Sequence, residues 1–106
     1  MNSVGLVMEL KPGCYEEYKR RHDDLWPELS HAMTSFNINM VIYRFGEHLF
    51  VHGTAPSGDA WTQLNEHPVT PRWNAYMAEV LKTDESGQII FQSLPQAFAF
   101  GEFRKD

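Results

Sequence analysis

Met8, Val41, Tyr43, Phe98 and Phe100 fall in strand-like segments that present apolar or aromatic residues toward both faces. An antiparallel sheet with one face in water alternates apolar and polar residues more cleanly along each strand. A chain built on these segments therefore has to cover its sheet twice, once with its own helices and once with something else. A second copy of the chain is the usual solution, which predicts a homodimer; a ligand pocket is the other way to cover that face.

The remaining pattern supplies the first cover. Residues 4–10 are a compact apolar run that reads as a strand, stopped by Pro12-Gly13. A helix is predicted over about 14–22, and Pro27 restarts it at the first-turn position that proline tolerates. Leu25, Leu29, Ala32, Met33 and Phe36 form the apolar stripe of that second half. Strands over 38–45 and 49–53 flank a glycine-containing hairpin loop, Gly46-Glu47-His48. A short helix follows over 59–66. Pro68 and Pro71 bracket a turn, with Pro71 in the first turn of a helix over 72–81. Residues 83–87 read as a loop, and Phe91 with residues 96–103 supplies the last strand. The order βαββαβ in 106 residues predicts a single domain of α+β class, a ferredoxin-like antiparallel sheet with helices on one face.

Charge and cysteine content narrow the function. A formal net charge of −5 and a pI near 5.4 exclude the basic face that nucleic acid or an anionic membrane would need. The one basic cluster, Lys19-Arg20-Arg21, is followed at once by Asp23 and Asp24 and reads as the solvated side of a helix. A lone Cys14 rules out an internal disulfide and fits a reducing compartment. No stretch has the length and apolarity of a transmembrane helix, and the N-terminus lacks a basic region followed by an apolar run. These features predict a soluble, cytoplasmic protein.

The chemistry concentrates between Tyr15 and Leu29. Read as helix, this stretch places Tyr18, His22 and Trp26 in one row at i, i+4 and i+8. A phenol, an imidazole and an indole in line make a wall for a small polar ligand, and only the imidazole titrates near neutrality. Proton transfer on a small molecule is the chemistry that results. Against this stands the ordinary structural reading, in which His22 is a satisfied helix histidine, Tyr18 a core residue and Trp26 a packing anchor before Pro27. His31, His48, His52 and His67 show no metal-ligand spacing, so no metal is expected. His52, on a strand, is a candidate second acid/base. Cys14 opens a helix without a neighbouring base and reads as inert.

Glu17-Tyr18-Lys19-Arg20-Arg21-His22 followed by Leu25-Trp26-Pro27-Glu28 resembles the L-rhamnose mutarotases, whose wider family includes L-fucose mutarotases. Leu49-Phe50, His67-Pro68-Val69 and Arg72-Trp73 with Tyr76-Met77 extend the resemblance over almost the whole chain. It implies a dimeric α/β barrel without metal or organic cofactor that interconverts the α and β anomers of a 6-deoxy-hexose, a small-molecule monosaccharide. By the same resemblance His22 is the proton donor, Tyr18 contacts the sugar, and Trp73 sits in the sugar pocket, with Tyr76 able to cover an apolar sugar face. Two positions depart from the rhamnose pattern: Asn74 stands where a second tryptophan is usual, and Met40 where a tyrosine is usual. Both are expected to line the substrate site, and they leave L-fucose as the alternative sugar. A cofactor-free monooxygenase and a non-catalytic sugar-binding module on the same dimeric barrel are the readings from other classes.

Overall fold

The computed structural model describes residues 1–104. Its elements run β1 (Asn2–Glu9), α1 (Tyr15–Asp23), α2 (Pro27–Ser35), β2 (Asn39–Phe45), β3 (His48–Ala55), α3 (Gly58–Glu66), α4 (Val69–Met77) and β4 (Gln92–Ser93), with a final 3-10 turn at Gly101–Phe103. The four strands form one antiparallel sheet in the order β2-β3-β1-β4. This is the ferredoxin-like α+β arrangement, with each crossover made by a pair of helices.

Proline chemistry splits the first crossover. The residue before a proline is pushed out of the helical region, and Trp26 is extended at φ −61°, ψ 132° with Pro27 in the first turn of α2. Trp26 therefore caps α2 and does not continue α1, so the expected i+8 row is broken at Asp24. Asn37 ends α2 in the left-handed region, φ 56°. The Ile38 amide donates to Met33 O at 2.9 Å and the Asn37 amide to Thr34 O at 3.1 Å. This is a Schellman closure, which buries Ile38 and aims the chain into β2. Pro68 and Pro71 do not bracket a turn. Pro68 caps α4 and Pro71 lies in its first turn, where no amide proton is needed.

The hairpin loop is the two residues Gly46-Glu47, since Phe45 pairs with His48, and Gly46 supplies the positive φ (61°) there. Strand alternation then divides the sheet. Leu49, Val51, Gly53 and Ala55 of β3 are buried under the helices with Met8 of β1, while Phe50 and His52 point the other way. The helices cover one face only. Gly53 lets the Trp61 indole of α3 lie on the sheet, where a Cβ would come within 2.6 Å of the ring. The Trp61 Nε1–H donates to Asn2 Oδ1 at 3.0 Å.

The last strand is shorter than the sequence suggests. Only Gln92 and Ser93 pair with β1, and the ladder ends where the Leu94 amide donates to Gly5 O. Residues 96–100 carry no ladder within the chain, and Phe98 and Phe100 are exposed.

Candidate active site

α1 is built to hold its polar residues in place. Glu16 and Glu17 sit in its first turn and Arg20, Arg21 and His22 in its last, which suits the helix dipole. Lys19 pairs with Asp23 at 2.8 Å and Arg20 with Glu17, both on the solvated side. Tyr18 faces inward and is 4% exposed.

His22 lies one turn beyond Tyr18, with ring centroids 4.2 Å apart. On another side it meets Trp73 of α4 edge-on at 5.2 Å. Trp73 contacts Trp26 at 5.1 Å, and Trp26 stacks on Tyr76 at 5.3 Å with ring planes 24° apart. The Trp26 indole thus joins the site from the inter-helix corner, not from the row expected on a continuous helix.

The hydrogen bonds define the state of the imidazole. His22 Nδ1 lies 3.1 Å from Tyr18 O, a carbonyl that can only accept. Nδ1 therefore carries the proton in the neutral ring and Nε2 keeps its lone pair. Burial lowers the His22 pKa from its ordinary value, outweighing the backbone bond and the charge of Asp23, which act the other way. The group is a neutral base at physiological pH. The Tyr18 hydroxyl is buried with no hydrogen-bond partner among the described residues, and burial raises its pKa. It is held as a neutral phenol with an unused donor, beside a base.

Of the residues singled out in the sequence, Tyr18, His22, Trp73 and Tyr76 come together. Asn74 follows Trp73 on α4 and is half-buried. Met40 stands on the edge strand β2, opposite Gly53 and so in the row that faces the helices, with its side chain largely open. His52 does not reach this site. It pairs with Val41 in the row facing away from the helices, touches Phe103 at 5.2 Å, and lines a trough between β1 and the C-terminal segment. Strand alternation excludes it as a partner of His22.

Arg21 corrects another expectation. Lys19 and Arg20 are solvated, but the Arg21 side chain is only 11% exposed. It is three residues beyond buried Tyr18 and so shares the inner side of α1; the Glu17–Arg21 spacing was the signal in the sequence. Among the described residues no three His, Cys, Asp or Glu side chains gather as a metal-binding group, and no helix is long and apolar enough to cross a membrane.

The family model for L-rhamnose mutarotase matches residues 3–100. The chain belongs to the L-rhamnose mutarotase family. Mutarotases are isomerases, so the aromatic site around His22 is found in a chain of an isomerase family. The L-rhamnose mutarotase of Burkholderia ambifaria is 37% identical over 101 residues, covering 92% of this chain and 97% of that protein. That of Verminephrobacter eiseniae is 37% identical over 98 residues, 90% and 92% of the two chains. The crystal structure of an L-rhamnose mutarotase from Formosa agariphila superposes with a TM-score of 0.80 at 24% identity, covering 95% of this chain and all of that one. A Chloroflexus aurantiacus protein assigned as an antibiotic biosynthesis monooxygenase shares the fold alone, with a TM-score of 0.56 at 11% identity over 94% and 98% of the two chains. The names of these mutarotase relatives do not favour the fucose branch.

Proposed function

We propose that this chain interconverts the α and β anomers of L-rhamnose, with His22 as its acid/base group. One observation carries the reading: an imidazole whose Nε2 has no hydrogen-bond partner among the described residues lies against the Trp73 indole and against a buried phenol that is likewise unpartnered among them. Opening a pyranose removes the proton from the anomeric hydroxyl and places one on the ring oxygen as the bond between the anomeric carbon and that oxygen breaks. Closure on the other face of the aldehyde reverses both transfers, so nothing is consumed. His22 Nε2 accepts the first proton and delivers it to the ring oxygen as that bond breaks, and closure runs the same two transfers backwards. The Tyr18 hydroxyl donates a hydrogen bond to a sugar oxygen, Trp73 and Tyr76 cover the methyl and C–H faces, and Asn74 and Met40 border the sugar. General acid/base help of this kind contributes about 10²–10⁴-fold, and the chemistry asks for no cofactor.

The assembly in this reading is a homodimer. Tyr43, Phe45, Val41 and Phe50 are exposed on the sheet face the helices leave bare, and burial against a second copy would remove them from water. A cytoplasmic location goes with the free thiol of Cys14. The test is NMR saturation transfer between the anomers of L-rhamnose. Faster exchange with purified protein supports the reading; exchange at the spontaneous rate for L-rhamnose overturns it, and acceleration of L-fucose alone would reassign the sugar.

A further inference from the structure

His22 and Trp73 sit on different helices, and the backbone does little to fix one against the other. α4 packs chiefly along α2 and α3, not along α1. Side chains must set the spacing between the base and the indole. Arg21, the residue next to His22, makes the most extensive of these links. Its Nη1 donates to Tyr76 O at 2.7 Å, near the C-terminal end of α4, where the helix leaves carbonyls to be satisfied. Its guanidinium carbon lies 4.0 Å from the centroid of the Tyr76 ring. Nε donates to Glu17 at 2.6 Å, within α1, and Nη2 pairs with Glu79 beyond α4 at 3.0 Å. Tyr76 in turn stacks on Trp26, which contacts Trp73.

We infer that Arg21 is a positioning residue: its guanidinium ties α1 to the end of α4 and thereby sets where His22 stands relative to the aromatic platform that receives the sugar. The inference rests on the functional reading above. A planar fork with several donors is what three anchors plus a ring contact require. An ammonium group keeps the charge but cannot hold all of them at once. Tyr76 is then first a buttress, with much of its ring surface against Arg21 and Trp26, and its contact with the sugar is through what remains.

The experiment measures anomer exchange of L-rhamnose against sugar concentration for wild type, Arg21→Lys and Arg21→Ala, with thermal melting of the same samples. Arg21→Lys should stay folded at the assay temperature and lose about tenfold or more in kcat, because a displacement of about 1 Å suffices for losses of that order. The midpoint of its acid limb should not move, since the proton on His22 is untouched. Arg21→Ala should lose more and recover part of its kcat with millimolar guanidinium but not with methylammonium. A merely structural arginine would give folded variants with wild-type kcat, or losses that guanidinium does not restore; either result overturns the inference. If Arg21→Ala does not fold, Glu79→Gln decides at the exposed end of the clamp: reduced kcat at unchanged Tm supports the role, and unchanged kcat removes it. Absence of exchange in wild type would instead overturn the functional reading itself.

Discussion

His22 meets Trp73 edge to face, with ring centroids 5.2 Å apart and ring planes at 78°. Tyr18 lies against the same imidazole at 4.2 Å, and Tyr18 O fixes its Nδ1 proton. The ring is thus held by two aromatic neighbours and one hydrogen bond before any ligand arrives. Its Nε2 remains for chemistry. Preorganisation of this kind is what the acid/base role proposed for His22 requires.

Replacing His22 with alanine should remove most of the exchange activity and leave the fold in place. About 10²–10⁴-fold is the range one positioned acid/base contributes, with each tenfold worth about 1.4 kcal/mol in the barrier. His22 lies outside the fully buried core of Leu10, Leu49, Val69 and Leu81, so melting should shift little. Saturation transfer and circular dichroism on one sample check both halves. Near wild-type exchange in the variant would move the base elsewhere.

Exchange should fall on acidification with a midpoint below 6.5, because burial lowers the His22 pKa from that ordinary value. Only the neutral ring can accept a proton, so the acid limb follows the folded-state value. Stability has the same sign. As pH drops below 6.5 the unfolded chain gains a proton at this residue before the folded one does, so stability is lost between the unfolded and the folded value. A pH–rate profile with an acid limb above 6.5 would contradict the burial argument.

Much of this was legible in the residues. Pro27 and the residue before it are local chemistry, and so are the glycine at the hairpin turn and the place of Pro71 in the first turn of a helix. Periodicity placed Tyr18 and His22 on one face of α1 correctly, because four-residue spacing is a property of the helix itself. Trp26 was harder. Its position depends on where α1 stops, and only the tertiary corner brings it to Trp73. His52 is opposite in parity to Leu49 and Val51 of its own strand, which are buried under the helices, so it faces away from His22. Arg21 looked solvated among like charges, since its burial depends on Tyr76 and Glu79 more than fifty positions away. The final strand pairs over Gln92 and Ser93 alone, and the aromatic residues after Pro95 carry no ladder within the chain.

In the homodimer proposed above, Phe45→Glu should separate the two chains without unfolding them. Phe45 is 78% exposed in the single chain and ends β2 on the face the helices do not cover, opposite His48. A carboxylate there meets water in the monomer, but it would lie buried and unpaired between two copies, which is strongly unfavourable. Sedimentation of wild type and variant at the same micromolar concentration checks this. Two species of equal mass would place the interface elsewhere. If the second copy helps to close the sugar site, exchange per chain should also fall in the monomer.

Asn74→Trp, alone or with Met40→Tyr, should shift the ratio of exchange rates toward L-rhamnose over L-fucose. Asn74 follows Trp73 on α4 and is half-buried, and Met40 lies in the helix-facing row of β2. An indole at 74 offers a flat apolar surface, whereas an amide offers a donor and an acceptor that read the orientation of a hydroxyl. The two sugars differ in the configuration of ring hydroxyls, so exchanging a hydrogen-bonding wall for a stacking one changes which is held better. A buried polar group left unmatched costs about 1–3 kcal/mol, or roughly tenfold to a hundredfold in the ratio. Asn74 is half-buried and not part of the core cluster, so the substitution removes no core side chain. The measurement is the rhamnose-to-fucose rate ratio of wild type and variants in one buffer at one temperature. A ratio that stays constant would show that position 74 faces away from the sugar and does not set the preference between the two.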